Sequence, residues 1–233
     1  MASPTYTAAL IVGAGEGLSA SLTRLLRAEG LGVALAARNA AKLEPLCAET
    51  GARAYRCDAQ DEGEVKRLFA DIDREQGAPD VVIYNAGYRT RGPFVELVPS
   101  EVQRALQVTA FGAFLVAQQA AARMLPRRHG AMLFTGASAS VKGYAQSAPF
   151  AMGKFALRGL AQSLARELSP QGIHVAHFVI DGGIRGPGHR GDSDKPDTLL
   201  EPDAIATTYL DILRQPRSAW THEIELRPWV ERF

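Results

Sequence analysis

Residues 8–22, AALIVGAGEGLSASL, place a buried strand, a glycine-rich turn and the first turns of a helix in direct succession. Gly13, Gly15 and Gly17 let the backbone turn tightly and allow its amide groups to approach a ligand. The amino terminus of the helix that follows favours a pyrophosphate group. Glycine-rich turns occur in many α/β proteins, so the meaning of this segment depends on the chain around it.

The same order of elements repeats along the chain. Apolar runs of strand length occupy residues 8–13, 32–38, 52–58, 80–87, 130–138, 173–180 and 222–228. Longer amphipathic runs predict helices at residues 18–30, 39–50, 61–77, 100–125, 149–169 and 202–214. Continuous apolar strands joined by helices predict a parallel sheet covered on both faces. Right-handed crossovers then give one doubly wound, Rossmann-like α/β domain with seven strands over residues 1–233.

The segment after the sixth predicted strand departs from this alternation. Residues 182–198 are rich in Gly, Pro and Asp. They follow the carboxyl end of a strand, where the ligand of such a fold binds. The segment is expected to form either an irregular loop or a substrate lid over residues 182–200.

The composition is that of a globular protein without a polyanionic partner. The chain has 233 residues, of which 46% are hydrophobic, and a formal net charge of +1. No basic cluster alternates with aromatic residues and no apolar run approaches the length of a membrane span, so neither nucleic acid nor a membrane is expected as a partner. Two cysteines without a secretory signal favour a cytoplasmic protein. His174 and His177 are predicted on opposite faces of one strand, so no metal site is expected.

The end of the second predicted strand bears on the choice of dinucleotide. A carboxylate there would bind the 2′-hydroxyl of NAD and repel the 2′-phosphate of NADP. This chain instead has Ala36 and Ala37 followed by Arg38, whose guanidinium favours a phosphate. Glu16, in the glycine-rich turn, favours NAD. We expect NADP as the cofactor in preference to NAD, with a solvated loop arginine as the alternative role of Arg38.

Five segments in this order resemble the short-chain dehydrogenase/reductase family over nearly the whole chain. They are GAGEGLS after the first strand, CDAQD with Asp58, YNAG at 84–87, LFTGAS before the fifth helix, and Lys154 within that helix. The departures from the family pattern in these segments are Val12, Ser19 and Tyr84. The resemblance implies cofactor contacts from a set of residues at the ends of the strands: Gly13, Gly15, Glu16, Gly17, Leu18, Arg38, Asp58, Ala59, Asn85, Ala86, Gly87, Lys154, Gly182 and Ile184.

The resemblance also implies a catalytic set of asparagine, serine, tyrosine and lysine, of which only the lysine clearly remains. The asparagine position is Thr109, the serine position is Ala137 with Ser138 beside it, and the tyrosine position is Phe150. In the family, the tyrosine donates the proton that an alkoxide needs after hydride transfer. A phenyl ring has no proton to donate, so carbonyl reduction in the family's usual form is not expected.

Lys154 keeps the family's lysine position, four residues after Phe150. In the family, this lysine donates hydrogen bonds to the ribose hydroxyls of the nicotinamide nucleotide. The alternative is a surface lysine whose stem packs on the Phe150 ring. The ribose role needs no tyrosine, so cofactor binding can outlast loss of the usual chemistry.

Several groups are candidates to replace the missing acid. Tyr144, in the loop that borders the substrate in the family, could swing in or simply line the pocket. Asp181 could keep its proton in an apolar pocket and act as an acid, or it could cap the turn at Gly182 and Gly183. Ser138 is another candidate, and so is a water held by Lys154. Thr109 could also hold a water.

Three functions remain open from the sequence. The first is an NAD(P)H-dependent reductase of an iminium ion or a conjugated double bond, which takes hydride without the tyrosine; Phe150 would then be an apolar wall. The second is a carbonyl reductase with a relocated acid. The third is a dinucleotide-binding protein without turnover, acting as a sensor or as the partner of an active relative. The substrate and the direction of reaction have no signature in the sequence.

Two predicted helices are apolar on more than one face. The stretches AFGAFLVAQQAAA (110–122) and KFALRGLAQSLA (154–165) are rich in Ala, Gly and Leu. Such helices need a second partner, and the helices at these positions in the family pair between subunits. We expect a homodimer or homotetramer, with Trp229 and Phe233 of the C-terminal tail as further contacts.

Overall fold

The computed structural model describes residues 5–186, 189 and 197–231. Seven strands lie in one sheet: β1 Ala8–Val12, β2 Gly32–Ala37, β3 Arg53–Arg56, β4 Val81–Tyr84, β5 Gly130–Thr135, β6 Ile173–Ile180 and β7 Glu223–Leu226. Their order across the sheet is β3-β2-β1-β4-β5-β6-β7. Every neighbouring pair is parallel. The predicted doubly wound, Rossmann-like fold is therefore confirmed.

Helices cover both faces of the sheet. They are α1 Leu18–Ala28, α2 Glu44–Thr50, α3 Glu62–Glu75, α4 Pro99–Leu106, α5 Gly112–Met124, α6 Ala148–Leu168 and α7 Pro202–Leu213. Helices α1, α2 and α7 pack on one face, and α3, α5 and α6 pack on the other. Because both faces are removed from water, β5 and β6 are buried and largely apolar along their whole length. The edge strand β3 instead exposes Arg53 and Arg56.

The predicted strands at 80–87 and 130–138 are shorter in the structure, since β4 ends at Tyr84 and β5 at Thr135. The residues that follow form turns at the carboxyl edge of the sheet. Asn85 N donates to Val12 O at 2.8 Å and joins the ends of β4 and β1. The chain leaves these two neighbouring strands toward opposite sides of the sheet, and this reversal opens the crevice where doubly wound domains bind ligands.

The helical stretch from Pro99 to Arg127 is continuous but not regular. Residues Gln107–Phe111 form a π-helical turn between α4 and α5. The Tyr84 hydroxyl donates to the Val108 carbonyl within this turn. A Cβ on Gly112 would lie 2.5 Å from that hydroxyl, so only glycine leaves room for it. The sequence predicted an uninterrupted helix here; the π-turn, of a kind often found at functional sites, carries Thr109.

By length and composition alone, the stretch Pro99–Arg127 is apolar enough to cross a membrane, with a mean hydropathy of 1.3 over an 18-residue window. The expectation that no apolar run approaches the length of a span is wrong by this measure. In the fold, 44% of that window is buried, and Leu115, Val116 and Ala120 pack in the core beside the sheet. Part of the apolar surface of α5 is therefore used for burial inside the domain.

The segment predicted as a lid lies partly outside the described residues. Its base forms a short ladder in which Ile184 and Leu200 are bridged in parallel. Leu200 N donates to Gly183 O at 2.8 Å, and Arg185 N donates to Leu200 O at 2.9 Å. The centre of the predicted lid, at 187–188 and 190–196, is not among the described residues, so the lid stays a prediction.

Candidate functional site

The turn between β1 and α1 requires glycine at its first position. Gly13 has a φ of +85°. A Cβ there would lie 2.4 Å from the backbone nitrogen of Ala86, just beyond β4. The left-handed backbone and the close approach together exclude a side chain. At Gly15 and Gly17 a Cβ would meet no described atom within 4 Å, so among the described residues these two glycines border open space at the start of α1.

Ser19 and Asn85 stabilise this turn through hydrogen bonds. Ser19 Oγ donates to Gly13 O at 3.2 Å, and Asn85 Nδ2 donates to Ser19 Oγ at 2.8 Å. Ser19 is a departure from the family's glycine pattern, and its hydroxyl makes hydrogen bonds that a glycine could not make. The predicted cofactor residue Asn85 therefore also fixes the shape of the turn.

Two adjoining clefts open along the carboxyl edge of the sheet, with volumes of ≈ 530 Å³ and ≈ 250 Å³. The larger cleft is lined by many of the predicted cofactor residues, namely Gly13, Gly15, Glu16, Arg38, Asp58, Ala59, Asn85, Ala86 and Gly87. The smaller cleft adds Gly17, Leu18 and Ile184. Gly182 lines neither cleft, because it packs against Pro228 and Leu200. Lys154 lines neither cleft either, but its Nζ lies beside Gly87, which lines the larger one. The tertiary structure thus brings most of the predicted set to one elongated groove.

The end of the larger cleft beside β2 is positively charged. Arg38 and Lys42 line it, are exposed, and have no hydrogen bond or ion pair with another described residue. Ala36 and Ala37 leave the strand end without a carboxylate. Glu16 lines the same cleft and is exposed. The two cations suit a phosphate group, and Glu16 is the acid in this cleft that opposes it.

Asp58 stands just beyond β3, at the wall of the larger cleft. Its Oδ1 accepts a hydrogen bond from Gln60 N at 3.1 Å. Its other oxygen has only a longer contact of 3.4 Å with Gln60 Nε2, so it can still accept from a ligand amino group. Burial raises the pKa of the neighbouring Cys57 to about 12, which keeps that thiol protonated.

Lys154 is buried beside the carboxyl end of β5. Its Nζ donates to Thr135 O at 2.6 Å, and the residue is only 5% exposed. Burial lowers the pKa of Lys154 to about 8. The alternative of a surface lysine is therefore wrong. An ammonium group has three N–H donors, so this one retains donors for a ligand such as a ribose hydroxyl.

Thr109 and Lys154 border the same glycine. A Cβ on Gly87 would lie 3.8 Å from Lys154 Nζ and 4.0 Å from Thr109 Oγ1. Thr109 is fully buried, and its Oγ1 accepts from Tyr88 N at 3.3 Å. Gly153 lets helix α6 approach Thr109 closely, because a Cβ on residue 153 would lie only 3.1 Å from Thr109 Cβ. Two predicted catalytic residues are thus close together.

Phe150 lies beside Lys154, and two cations are close to its ring. Lys154 Nζ is 5.9 Å from the ring centroid, and the Arg89 guanidinium carbon is 5.2 Å from it. The ring is half-buried and supplies an apolar wall without a proton to give. Sequence reasoning missed Arg89, whose only signal is its place two residues after the YNAG segment.

The candidate acids Ser138 and Tyr144 lie in the segment between β5 and α6. Ser138 is half-buried at the start of a 3₁₀ turn, and the buried Ser140 uses its Oγ to accept from Ala137 N at 3.1 Å. Tyr144 is exposed. The hydrogen bond to Asp181 raises the pKa of Lys142, and Tyr144 adds to that effect. Tyr144 therefore interacts with Lys142, and its catalytic role stays a prediction.

The surroundings of Asp181 differ from the prediction. Its carboxylate lies 3.0 Å from Lys142 Nζ and 3.2 Å from Arg227 Nη2, and the residue is buried. The prediction of an apolar pocket around Asp181 is therefore wrong, because two cations border its carboxyl group. The alternative of a turn cap is also wrong, since the carboxylate oxygens bind these cations and make no hydrogen bond to Gly182 or Gly183 among the described residues.

A chain of polar side chains runs from the partly exposed Arg158 through Glu223 to the buried His177, beside Gly136 just beyond β5. His177 Nδ1 lies 3.0 Å from Glu223 Oε2, and Glu223 accepts two hydrogen bonds of 2.7 Å from Arg158. Burial lowers the pKa of His177 to about 4, so the ring is neutral. Its Nε2 is buried without a partner, and a Cβ on Gly136 would lie 2.3 Å from it. His177 thus requires glycine at residue 136.

Sequence comparison identifies similar proteins over most of this chain. A model of the short chain dehydrogenase family matches residues 7–189. The 3-oxoacyl-[acyl-carrier-protein] reductase MabA of Mycobacterium avium is 29% identical over 175 residues, which cover 75% of this chain and 66% of that protein. An uncharacterized oxidoreductase of Staphylococcus aureus is 27% identical over 230 residues, which cover 96% of this chain and 98% of that protein.

Solved structures show the same similarity. A short-chain dehydrogenase from Rhodopseudomonas palustris is 35% identical, with a TM-score of 0.82, and the match covers 96% of this chain and 99% of that one. An actinorhodin polyketide ketoreductase with NADPH is 22% identical, with a TM-score of 0.87 and 98% coverage of both chains. At that lower identity the second similarity shows the fold alone.

Proposed function

Because this chain belongs to the short-chain dehydrogenase family, we propose that it is an NADP(H)-dependent oxidoreductase that transfers hydride to a small organic substrate without a tyrosine acid. The observation that carries the proposal is the buried Lys154, which borders Gly87 together with Thr109. Gly87 itself lines the larger cleft. The ring of Phe150 stands at the same place, where the family has its acid.

Candidate partners for each part of a dinucleotide lie along the groove and beside it. The start of α1, with open space at Gly15 and Gly17, would hold the pyrophosphate. Arg38 and Lys42 would hold a 2′-phosphate, and Asp58 would accept from the adenine amino group. Lys154 would donate hydrogen bonds to the hydroxyls of the nicotinamide ribose. When bound, the reduced nicotinamide supplies a hydride.

Lys154 is a proton-bearing group close to the Phe150 ring, and Thr109 borders Gly87 together with it. With a pKa of about 8, the Lys154 ammonium is protonated at neutral pH and can release a proton through a water. A conjugated double bond or an iminium ion accepts hydride before any proton arrives. Slow proton transfer from Lys154 through a water is therefore sufficient for these acceptors. These acceptors are therefore the proposed substrate class, with a carbonyl served by a Lys154-held water as the next candidate.

Replacing Arg38 with glutamate is expected to reverse the preference between the two dinucleotides. The wild type should bind NADPH more tightly than NADH. In Arg38→Glu, the Kd of NADPH should rise at least about tenfold while the Kd of NADH changes little, because the 2′-phosphate then meets a carboxylate. Calorimetric titration measures both constants. Arg67→Glu, an exposed charge reversal on α3 outside the cleft, is the control, and equal changes in both variants would contradict the assignment of Arg38.

Replacing Lys154 with methionine is expected to weaken NADPH binding at least about tenfold, since charge-assisted hydrogen bonds to the ribose are lost. The wild type should also lose affinity as the pH rises through about 8, where the buried ammonium gives up its proton. The Lys154→Met variant should lack this pH dependence. Titrations between neutral and alkaline pH measure both effects, with the exposed Lys66→Met as the control. A wild-type affinity for NADPH that does not change with pH would contradict the proposed binding of the ribose by Lys154.

The proposed activity is tested by incubating the protein with NADPH and separate series of enones, cyclic imines and ketones while NADPH absorbance is followed. Turnover in the enone or imine series is the expected result. Tight NADPH binding without turnover in any series would favour a dinucleotide-binding protein without catalysis. That second function is supported by Phe150 and Ala137, which both lack the hydroxyl of the corresponding family residue.

We also propose that the chain forms a homodimer or homotetramer. Four large apolar side chains on neighbouring helical segments are 42–48% exposed: Phe111, Phe114, Met152 and Phe155. Burial of these side chains by a second copy would remove them from water. Trp229 is 81% exposed and is available for a further contact, whereas Phe233 lies outside the described residues. Sedimentation equilibrium of the purified protein measures the assembly.

A further inference from the structure

Arg89 stands over Phe150 and donates no hydrogen bond to another described residue. Its guanidinium carbon lies 5.2 Å from the ring centroid. The side chain is exposed and makes no hydrogen bond or ion pair within the part of the chain that the structure describes. A guanidinium has five N–H donors in a planar fork. The N–H donors of this arginine are therefore available to a ligand that binds beside Phe150.

The backbone on both sides of Arg89 is anchored. Tyr88 N donates to Thr109 Oγ1 at 3.3 Å, and Gly92 N donates to Gln146 O at 3.0 Å. The Tyr88 ring also lies 4.4 Å from the guanidinium carbon of Arg104. The position of Arg89 thus follows from a loop that is joined to the π-turn on one side and to the loop before α6 on the other.

Two acids in this region are already occupied by other groups. Glu101 accepts from the Tyr88 hydroxyl, and Asp181 lies between Lys142 and Arg227. Lys154, the second cation on the Phe150 ring, has a neutral carbonyl as its partner. Within the described ranges, the surroundings of Phe150 therefore carry two positive charges without a carboxylate bound to either. Such a site attracts an anion, and of the two acceptors proposed above it favours the uncharged conjugated double bond over the iminium ion.

We propose that the substrate carries a carboxylate, which Arg89 binds, next to an uncharged hydride acceptor such as an enone or a ketone. The inference rests on the proposed function and narrows its substrate class. One guanidinium presents a parallel pair of N–H groups that matches the two oxygens of a carboxylate. The Phe150 ring supports the guanidinium and packs on the apolar part of the substrate. Arg89 determines specificity, and Lys154 faces the negative charge that develops on the acceptor.

Bonds, electrons and protons balance for a substrate that carries both an enone and a carboxylate. Hydride from the nicotinamide forms a bond to the β-carbon, the electron pair of the carbon–carbon double bond moves toward the carbonyl, and the α-carbon gains one proton from water or from Lys154. The substrate is reduced to the saturated oxo acid, and NADPH is oxidised to NADP⁺. The carboxylate is unchanged throughout, so Arg89 contributes by orienting the substrate.

The test compares acids with their methyl esters. The protein loaded with NADP⁺ is titrated by calorimetry with oxo acids of graded chain length and with the ester of each acid. The best acid is expected to bind about tenfold more tightly than its ester. Arg89→Gln should weaken the acid about tenfold and leave the ester unchanged, and Arg89→Lys should restore part of the preference.

Arg91→Gln is the matched control, because Arg91 is exposed two residues along the same loop. This variant should keep the wild-type preference for the acid. Esters that bind as tightly as acids throughout the series, or equal losses in Arg89→Gln and Arg91→Gln, would overturn the proposal. So would phosphate monoesters of matched length that bind more tightly than every acid.

Binding of NADPH is measured separately for each protein. Failure of the wild type to bind NADPH would remove the proposed function. The same acid and ester titrations on the cofactor-free protein would then decide the role of Arg89 alone, so the two failures are distinguishable.

Discussion

A protein carrying Phe150→Tyr is expected to reduce simple ketones with NADPH at least about a hundredfold faster than the wild type, which is the lower range for a positioned general acid. The new hydroxyl would sit at the ring edge in the field of Lys154, whose Nζ is 5.9 Å from the ring centroid. Arg89 lies at 5.2 Å from the same centroid. Two nearby cations favour the phenolate and so lower the pKa of a tyrosine at this position toward the working range.

The measurement is the rate of NADPH oxidation with a series of ketones at saturating NADPH. Phe155→Tyr, on the same helix with its side chain exposed, is the control and should show no gain. Adding Ala137→Ser to Phe150→Tyr should raise the rate further by supplying a second hydroxyl. An unchanged rate in a variant that still binds NADPH would mean that the site no longer positions a carbonyl, and it would favour a relocated acid or a protein without turnover.

Gly13→Ala is expected to lower the free energy of unfolding by about 3 kcal/mol, from about 1–2 kcal/mol for the left-handed backbone and about 1–3 kcal/mol for overpacking. The new Cβ would lie 2.4 Å from Ala86 N and 2.5 Å from Ala86 Cα. Neither backbone atom can move without separating β1 from the turn after β4. For a chain of this size the melting temperature should fall by roughly 6–12 °C.

The same substitution should abolish NADPH binding at concentrations that saturate the wild type, because the displaced turn no longer presents its amides to the pyrophosphate. For stability, Gly15→Ala is the matched control: no heavy atom of the described residues lies within 4 Å of its Cβ position, and its φ is not positive. Its stability should change by less than about 0.5 kcal/mol. Thermal unfolding and calorimetric titration of both variants measure these effects, and equal melting temperatures would show that the turn adapts.

Much of the fold was predictable because burial leaves a periodic pattern in the chain. The apolar run at 173–180 coincides with β6, and the amphipathic run at 149–169 differs from α6 by one residue at each end. Boundaries were less predictable where a strand passes into a site turn, as at Tyr84 and Thr135. The π-turn at Gln107–Phe111 was missed, since it depends on the Tyr84 hydroxyl, which comes from a distant strand.

The sequence by itself determined that this protein is a parallel, doubly wound domain with a glycine turn for a ligand and without the family's tyrosine. These properties follow from local composition, since backbone freedom, burial and the presence of a hydroxyl belong to single positions. Only the tertiary structure decided that Lys142 and Arg227 border Asp181, that Lys42 joins Arg38 in the cleft, and that Arg89 lies over Phe150. Contacts between side chains depend on how strands and helices far apart in the chain are registered and packed. Which charged side chains lie close together at the site therefore follows only from the tertiary structure.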